Sequence, residues 1–81
     1  MEIRVYGPGC ARCSTLEQRV FNALASLDVA ADVRKISSLE EITDAGVMAT
    51  PGLVINGKLY SQGRLPSEDE IKTWLRSELG E

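Results

Sequence analysis

Thr50-Pro51-Gly52-Leu53-Val54-Ile55-Asn56-Gly57-Lys58-Leu59-Tyr60-Ser61 is the stretch of this chain that decides its fold. Leu53-Val54-Ile55 is an apolar, β-rich run, and Lys58-Leu59-Tyr60-Ser61 is its return strand. Between them, Asn56-Gly57 supplies two residues that accept positive φ, as both central positions of a type I′ turn require. The two strands are therefore predicted to pair antiparallel as a hairpin. Pro51 stands at the strand entry, where a missing N–H is tolerated.

Upstream of the hairpin, Ser38-Leu39-Glu40-Glu41 is a capping-box sequence that opens a short helix through Ile42 and Ala45, with Gly46 to close it. A strand is expected between Val29 and Ile36, with Val33 and Ile36 as its apolar members. Earlier still, Leu16, Val20, Ala23, Leu24 and Leu27 recur at steps of three and four, which marks an amphipathic helix starting near Cys13. Met1, Ile3 and Val5 alternate with Glu2 and Arg4 and give a first strand. Downstream, Pro66 precedes a second capping box, Ser67-Glu68-Asp69-Glu70. It starts a helix whose Ile71, Trp74, Leu75 and Leu79 form one stripe.

The order is β-α-β-α-β-β-α. A right-handed crossover makes the first two strands parallel, and the hairpin makes the last two antiparallel. The expectation is an α/β fold with a four-stranded mixed sheet and three helices, forming one domain over residues 1–81.

Composition narrows the function. The chain has 81 residues, 9 Lys plus Arg against 12 Asp plus Glu, and a net charge of −3. With no basic excess and no Lys/Arg cluster, nucleic acid is not an expected partner. No segment approaches the roughly 20 apolar residues that span a bilayer, and no secretion signal is visible at the start. A cytoplasmic monomer without membrane association is expected. Histidine is absent, which removes His-based catalysis and mixed Cys/His metal sites.

The two cysteines are Cys10 and Cys13, in Cys10-Ala11-Arg12-Cys13. In a reducing compartment a lone close pair reads as redox-active or metal-binding rather than as a structural staple. A spacing of three sets them about one helical turn apart, which suits a disulfide. Cys10 at the helix tip is the expected nucleophile, and Cys13, one turn inward, the resolving thiol. Unpaired amides at the helix start and the Arg12 cation both favour a Cys10 thiolate. Two other readings stand beside this one. The cysteines could be small buried apolar residues, although the Gly7-Pro8-Gly9 loop argues for exposure. They could also bind Cu(I), or zinc if a dimer supplied four thiolates. Copper carriers, however, run β-α-β-β-α-β and end in a strand.

A strand leading to Gly7-Pro8-Gly9-Cys10-Ala11-Arg12-Cys13, then Thr50-Pro51-Gly52-Leu53-Val54-Ile55-Asn56-Gly57 and a final helix, resembles the thioredoxin/glutaredoxin superfamily. It is most like the small archaeal and bacterial redox-disulfide proteins whose site reads Gly-x-Gly-Cys-x-x-Cys. The resemblance covers nearly the whole chain and implies a thioredoxin-like fold. It implies a cis Thr50-Pro51 bond, which base rates alone would not suggest, with Pro51 beside the disulfide. Thr50 would then offer its backbone N–H and C=O to an extended substrate segment. The implied activity is thiol-disulfide oxidoreduction without a cofactor other than the Cys10–Cys13 disulfide. Disulfide-containing proteins are the implied substrates, and a separate thioredoxin-reductase-like enzyme the electron source.

Gly9, Arg12 and Gly63 are further candidates for substrate contact. Gly63-Arg64-Leu65-Pro66-Ser67 is a partial match to the glutathione-binding segment of glutaredoxins, so glutathione is the alternative reductant. Two features depart from the pattern. Gly9 stands where thioredoxins carry Trp, and no counterpart is visible for the buried Asp beneath the second cysteine.

Overall fold

The structure is a computed structural model that describes residues 1–8 and 11–80. Strand β1 (Glu2–Tyr6) is followed by helix α1 (Ala11–Leu27), β2 (Asp32–Ile36), α2 (Leu39–Asp44), β3 (Gly52–Ile55), β4 (Lys58–Gln62) and α3 (Glu68–Glu78). The sheet order is β2-β1-β3-β4. β1 and β2 run parallel, with Ile3 beside Val33, while β1/β3 and β3/β4 run antiparallel. The expected three helices and mixed four-stranded sheet are all present.

The local signals act where the sequence puts them. Asn56 and Gly57 take φ values of 51° and 81°, so the β3–β4 turn has the positive φ that its sequence favours. Ser67 accepts a hydrogen bond from the Glu70 N–H at 3.1 Å, and the Glu70 carboxylate accepts from the Ser67 N–H at 3.2 Å. That reciprocal box satisfies two amides that the first turn of α3 would leave unpaired. Ser38 likewise accepts from the Glu41 N–H at the start of α2.

Alternation along the strands sends Ile3, Val5, Leu53 and Ile55 to one face. There they meet Leu16, Val20, Ala23 and Leu24 of α1, and Ile71 and Leu75 of α3. Burial of these side chains, each worth about 1.5–3 kcal/mol, is the main force holding both long helices to that face. Gly52 and Val54 point the other way, and Val47, after α2, packs directly over Gly52.

The apolar stripe of α3 is narrower than its periodicity implies. Ile71 and Leu75 are fully buried, Trp74 is half-buried, and Leu79 is 43% exposed. The helix stops at Glu78 and Leu79 is its C-cap, so that side chain lies at the frayed end of the stripe, one turn past fully buried Leu75. Arg64 is engaged at the start of α3. It forms a two-point pair with Glu70 at 2.8 and 3.2 Å and lies 5.8 Å from the Trp74 ring centre.

Candidate redox site

Cys13 lies in the first turn of α1 and is completely buried, while Ala11 and Arg12 beside it are exposed. Gly9 and Cys10 lie outside the described residues, so the expected roles of Gly9 and of the nucleophile are carried by sequence position alone. Cys10 directly precedes Ala11, the first residue of α1.

Gly7 holds the closest approach to Cys13. The chain leaves β1 at Tyr6, and the Gly7 N–H donates to the Ile36 carbonyl at 2.9 Å, which continues the β1–β2 ladder by one residue. A Cβ on Gly7 would run into Cys13 Sγ. Gly7 is therefore required for space, and sequence reasoning, which placed it in a tight loop, missed this. Nothing in the local pattern announces it, because the contact joins a strand end to a helix six residues later.

The register brings the second motif to the same end of the sheet. Tyr6 pairs with Gly52, so Pro51 sits next to the residue opposite the last position of β1. The Thr50-Pro51 bond is cis. Pro51 is fully buried and Thr50 half-buried. Gly63 closes the arrangement: its N–H donates to the Pro51 carbonyl at 3.1 Å, and its own carbonyl accepts from Arg12 Nη2 at 3.3 Å. The structure thus links Arg12, Gly63 and Pro51 by hydrogen bonds, and joins Cys13 to the same sheet end through Gly7.

Two further features bear on the site. Lys35, at the end of β2, donates to Ser14 Oγ at 3.4 Å, placing a second cation beside the first turn of α1. That turn carries no acidic residue, whereas α2 and α3 begin with two and three. The positive end of the α1 dipole therefore has no side-chain carboxylate in its own first turn to offset it. Among the described residues the core contains no Asp or Glu, and its buried polar side chain is Ser61. The absent counterpart of the thioredoxin Asp is thus not replaced from elsewhere in that core.

These features, a mixed sheet with a cysteine in the first turn of its long helix and a cis-proline at the same sheet end, define a thioredoxin-type redox protein. Residues 1–76 match the thioredoxin domain family, and the chain belongs to that family. Two similar relatives are both named thioredoxin. One, from Methanothermobacter thermautotrophicus, is 42% identical over 75 residues, covering 93% of this chain and 97% of the relative. The other, from Methanocaldococcus jannaschii, is 34% identical over 77 residues, covering 95% of this chain and 88% of the relative. Among the described residues no helix is long and apolar enough to cross a membrane.

Proposed function

We propose that this chain, acting as a single domain, reduces disulfides in protein substrates through Cys10 and Cys13. The observation that carries the reading is the buried Cys13 in the first turn of α1, at the sheet end that also holds the cis Thr50-Pro51 bond. The Cys10 thiolate attacks one sulfur of the substrate disulfide. A mixed disulfide forms, and the other substrate sulfur leaves as a thiolate that takes up a proton. Cys13, losing its proton, attacks Cys10 Sγ, releases the second substrate thiol, and leaves the Cys10–Cys13 disulfide. Two electrons have then passed from the dithiol to the substrate.

Thr50 offers backbone hydrogen bonds to the substrate segment, and Pro51 sets that edge, with Arg12 and Gly63 at its border. The positive start of α1, Arg12 and Lys35 together favour the Cys10 thiolate. No cofactor beyond the dithiol is needed, and a separate disulfide reductase returns the electrons. A cytoplasmic, monomeric protein fits this role.

Cys13→Ser tests the assignment, because it removes the resolving thiol and should accumulate a mixed disulfide on Cys10 with substrate. A Cys13→Ser protein that traps nothing while wild type reduces the same substrate would assign the roles differently. The reduction potential of the pair separates the two candidate electron sources. A value near or below about −270 mV points to a reductase-coupled reductant, and about −200 to −230 mV to coupling with glutathione.

A further inference from the structure

Gln62, the last residue of β4, and Gly63 after it grip residues 48–51 at three places. Gln62 Oε1 accepts from the Met48 N–H at 2.8 Å, and the Gly63 N–H donates to the Pro51 carbonyl at 3.1 Å. Gly63 also lies so close to Ala49 that a Cβ on it would stand 3.0 Å from the Ala49 Cβ. On its far side Gly63 is tied to the first turn of α1 by Arg12, at 3.3 Å. Gln62 and Gly63 therefore form a bridge between the segment that carries Thr50 and the helix that carries Cys13.

Met48 is 91% exposed, yet its backbone N–H is held. Without the Gln62 acceptor, the exposed residues Met48 and Ala49, between buried Val47 and half-buried Thr50, would be freer to sample several backbone states. Each residue fixed from such an ensemble costs about 1–2 kcal/mol of conformational entropy. A substrate segment pairing with Thr50 would then have to supply that ordering itself on binding, which weakens apparent affinity without touching the sulfur chemistry.

We propose that Gln62 is a positioning residue for disulfide-bearing protein substrates, acting through the Met48 amide to hold Thr50 ready for an extended segment. This rests on the reading of Thr50 as the docking edge. It assigns to the end of β4 a role in recognising polypeptide on either side of the substrate disulfide.

The test compares Gln62→Leu, which lacks the acceptor, with Gln62→Glu, which keeps it, using insulin as the protein disulfide. Both are assayed at about 0.5 M salt to screen the added carboxylate. In Gln62→Leu, the Met48 amide should exchange with solvent about fivefold faster, and KM for insulin should rise about fivefold, the size of one lost hydrogen bond. The change should appear in KM rather than kcat, and the reduction potential should stay at the wild-type value. Gln62→Glu should restore both Met48 protection and KM. Unchanged Met48 exchange or unchanged KM in an active Gln62→Leu overturns the brace. So does equal impairment of the two variants together with a lowered melting temperature. Wild type that reduces no disulfide overturns the redox reading itself, and the docking role with it.

Discussion

At the hairpin end of the sheet, polar side chains do the joining; at the end that carries Cys13, close backbone packing does most of it. Around the hairpin, Asn56 and Glu2 exchange two hydrogen bonds at 2.7 and 2.9 Å. The Glu78 carboxylate accepts from Asn56 Nδ2 at 3.1 Å and from the Tyr60 hydroxyl, and pairs with Lys58 at 3.3 Å. At the opposite end, Gly7 lies against Cys13 Sγ and Gly63 against Ala49, and the Pro51 carbonyl is satisfied by backbone. The difference follows from what each end does. A structural clasp can join side chain to side chain. At the end proposed to receive a polypeptide, the long side chains of Gln62 and Arg12 reach backbone groups, and glycine and alanine do the close packing.

Glycine substitution should separate the two ends most clearly, since each uses glycine for a different reason. Gly7→Ala puts a methyl group on a buried sulfur and should cost about 3 kcal/mol, at the upper end of overpacking effects. Gly57→Ala meets nothing within 4 Å but must hold φ at 81°, and should cost about 1 kcal/mol. Equilibrium denaturation of the two variants measures both. In a Cys13→Ala background the penalty for Gly7→Ala should shrink to about 1 kcal/mol, because the colliding sulfur is gone. Equal costs in the two backgrounds would remove Cys13 Sγ as the reason for Gly7.

Tyr60→Phe probes the other end with a smaller effect. It removes one hydroxyl from the Glu78 cluster and leaves the Tyr60 ring packed on Trp74, with centroids 5.4 Å apart. The melting temperature should fall by less than about half the drop caused by Gly7→Ala. The reduction potential of the dithiol should not move in Tyr60→Phe, whereas Gly7→Ala should shift it. A potential that moves in Tyr60→Phe would mean that the two ends communicate through β4.

The parts legible in the sequence are those fixed by neighbours a few residues apart. Asn56-Gly57 dictates its turn by its own φ preferences, and Ser67 with Glu70 caps α3 within one helical turn. The periodicity of α1 selects Leu16, Val20, Ala23 and Leu24 for burial. The cis bond at Thr50-Pro51 was within reach only through the family resemblance, since the dipeptide itself favours trans. The contacts of Gly7 with Cys13, of Gln62 with Met48 and of Arg12 with Gly63 were not legible from spacing or composition. They exist because the sheet register brings distant segments to one end, and no residue type there advertises its partner. Leu79 shows the converse error, where a period was extended one residue beyond the end of its helix.

The smallest expected effect is acid sensitivity, and it decides which end yields first as pH falls. The Arg64 guanidinium, helped by the Ser67 N–H, holds the Glu70 carboxyl down to about 2. In the unfolded chain Glu70 returns to its ordinary value of about 4.3. Between these values the unfolded state binds the proton first, so the stability Glu70 contributes is complete above about pH 5 and is lost towards pH 2. The Arg64 and Glu70 side chains are 52% and 42% exposed, so the contribution is modest and weakens with salt. Glu78 is also held below the ordinary carboxylate range, chiefly by the Tyr60 hydroxyl. Stability curves for Glu70→Gln and Glu78→Gln between pH 2 and 6 therefore sort the two ends. If Glu70→Gln flattens the acid limb, the start of α3, beside the Gly63 bridge, is the acid-labile part. If only Glu78→Gln does, the hairpin clasp gives way first, and the end carrying Cys13 outlasts the end built from polar side chains.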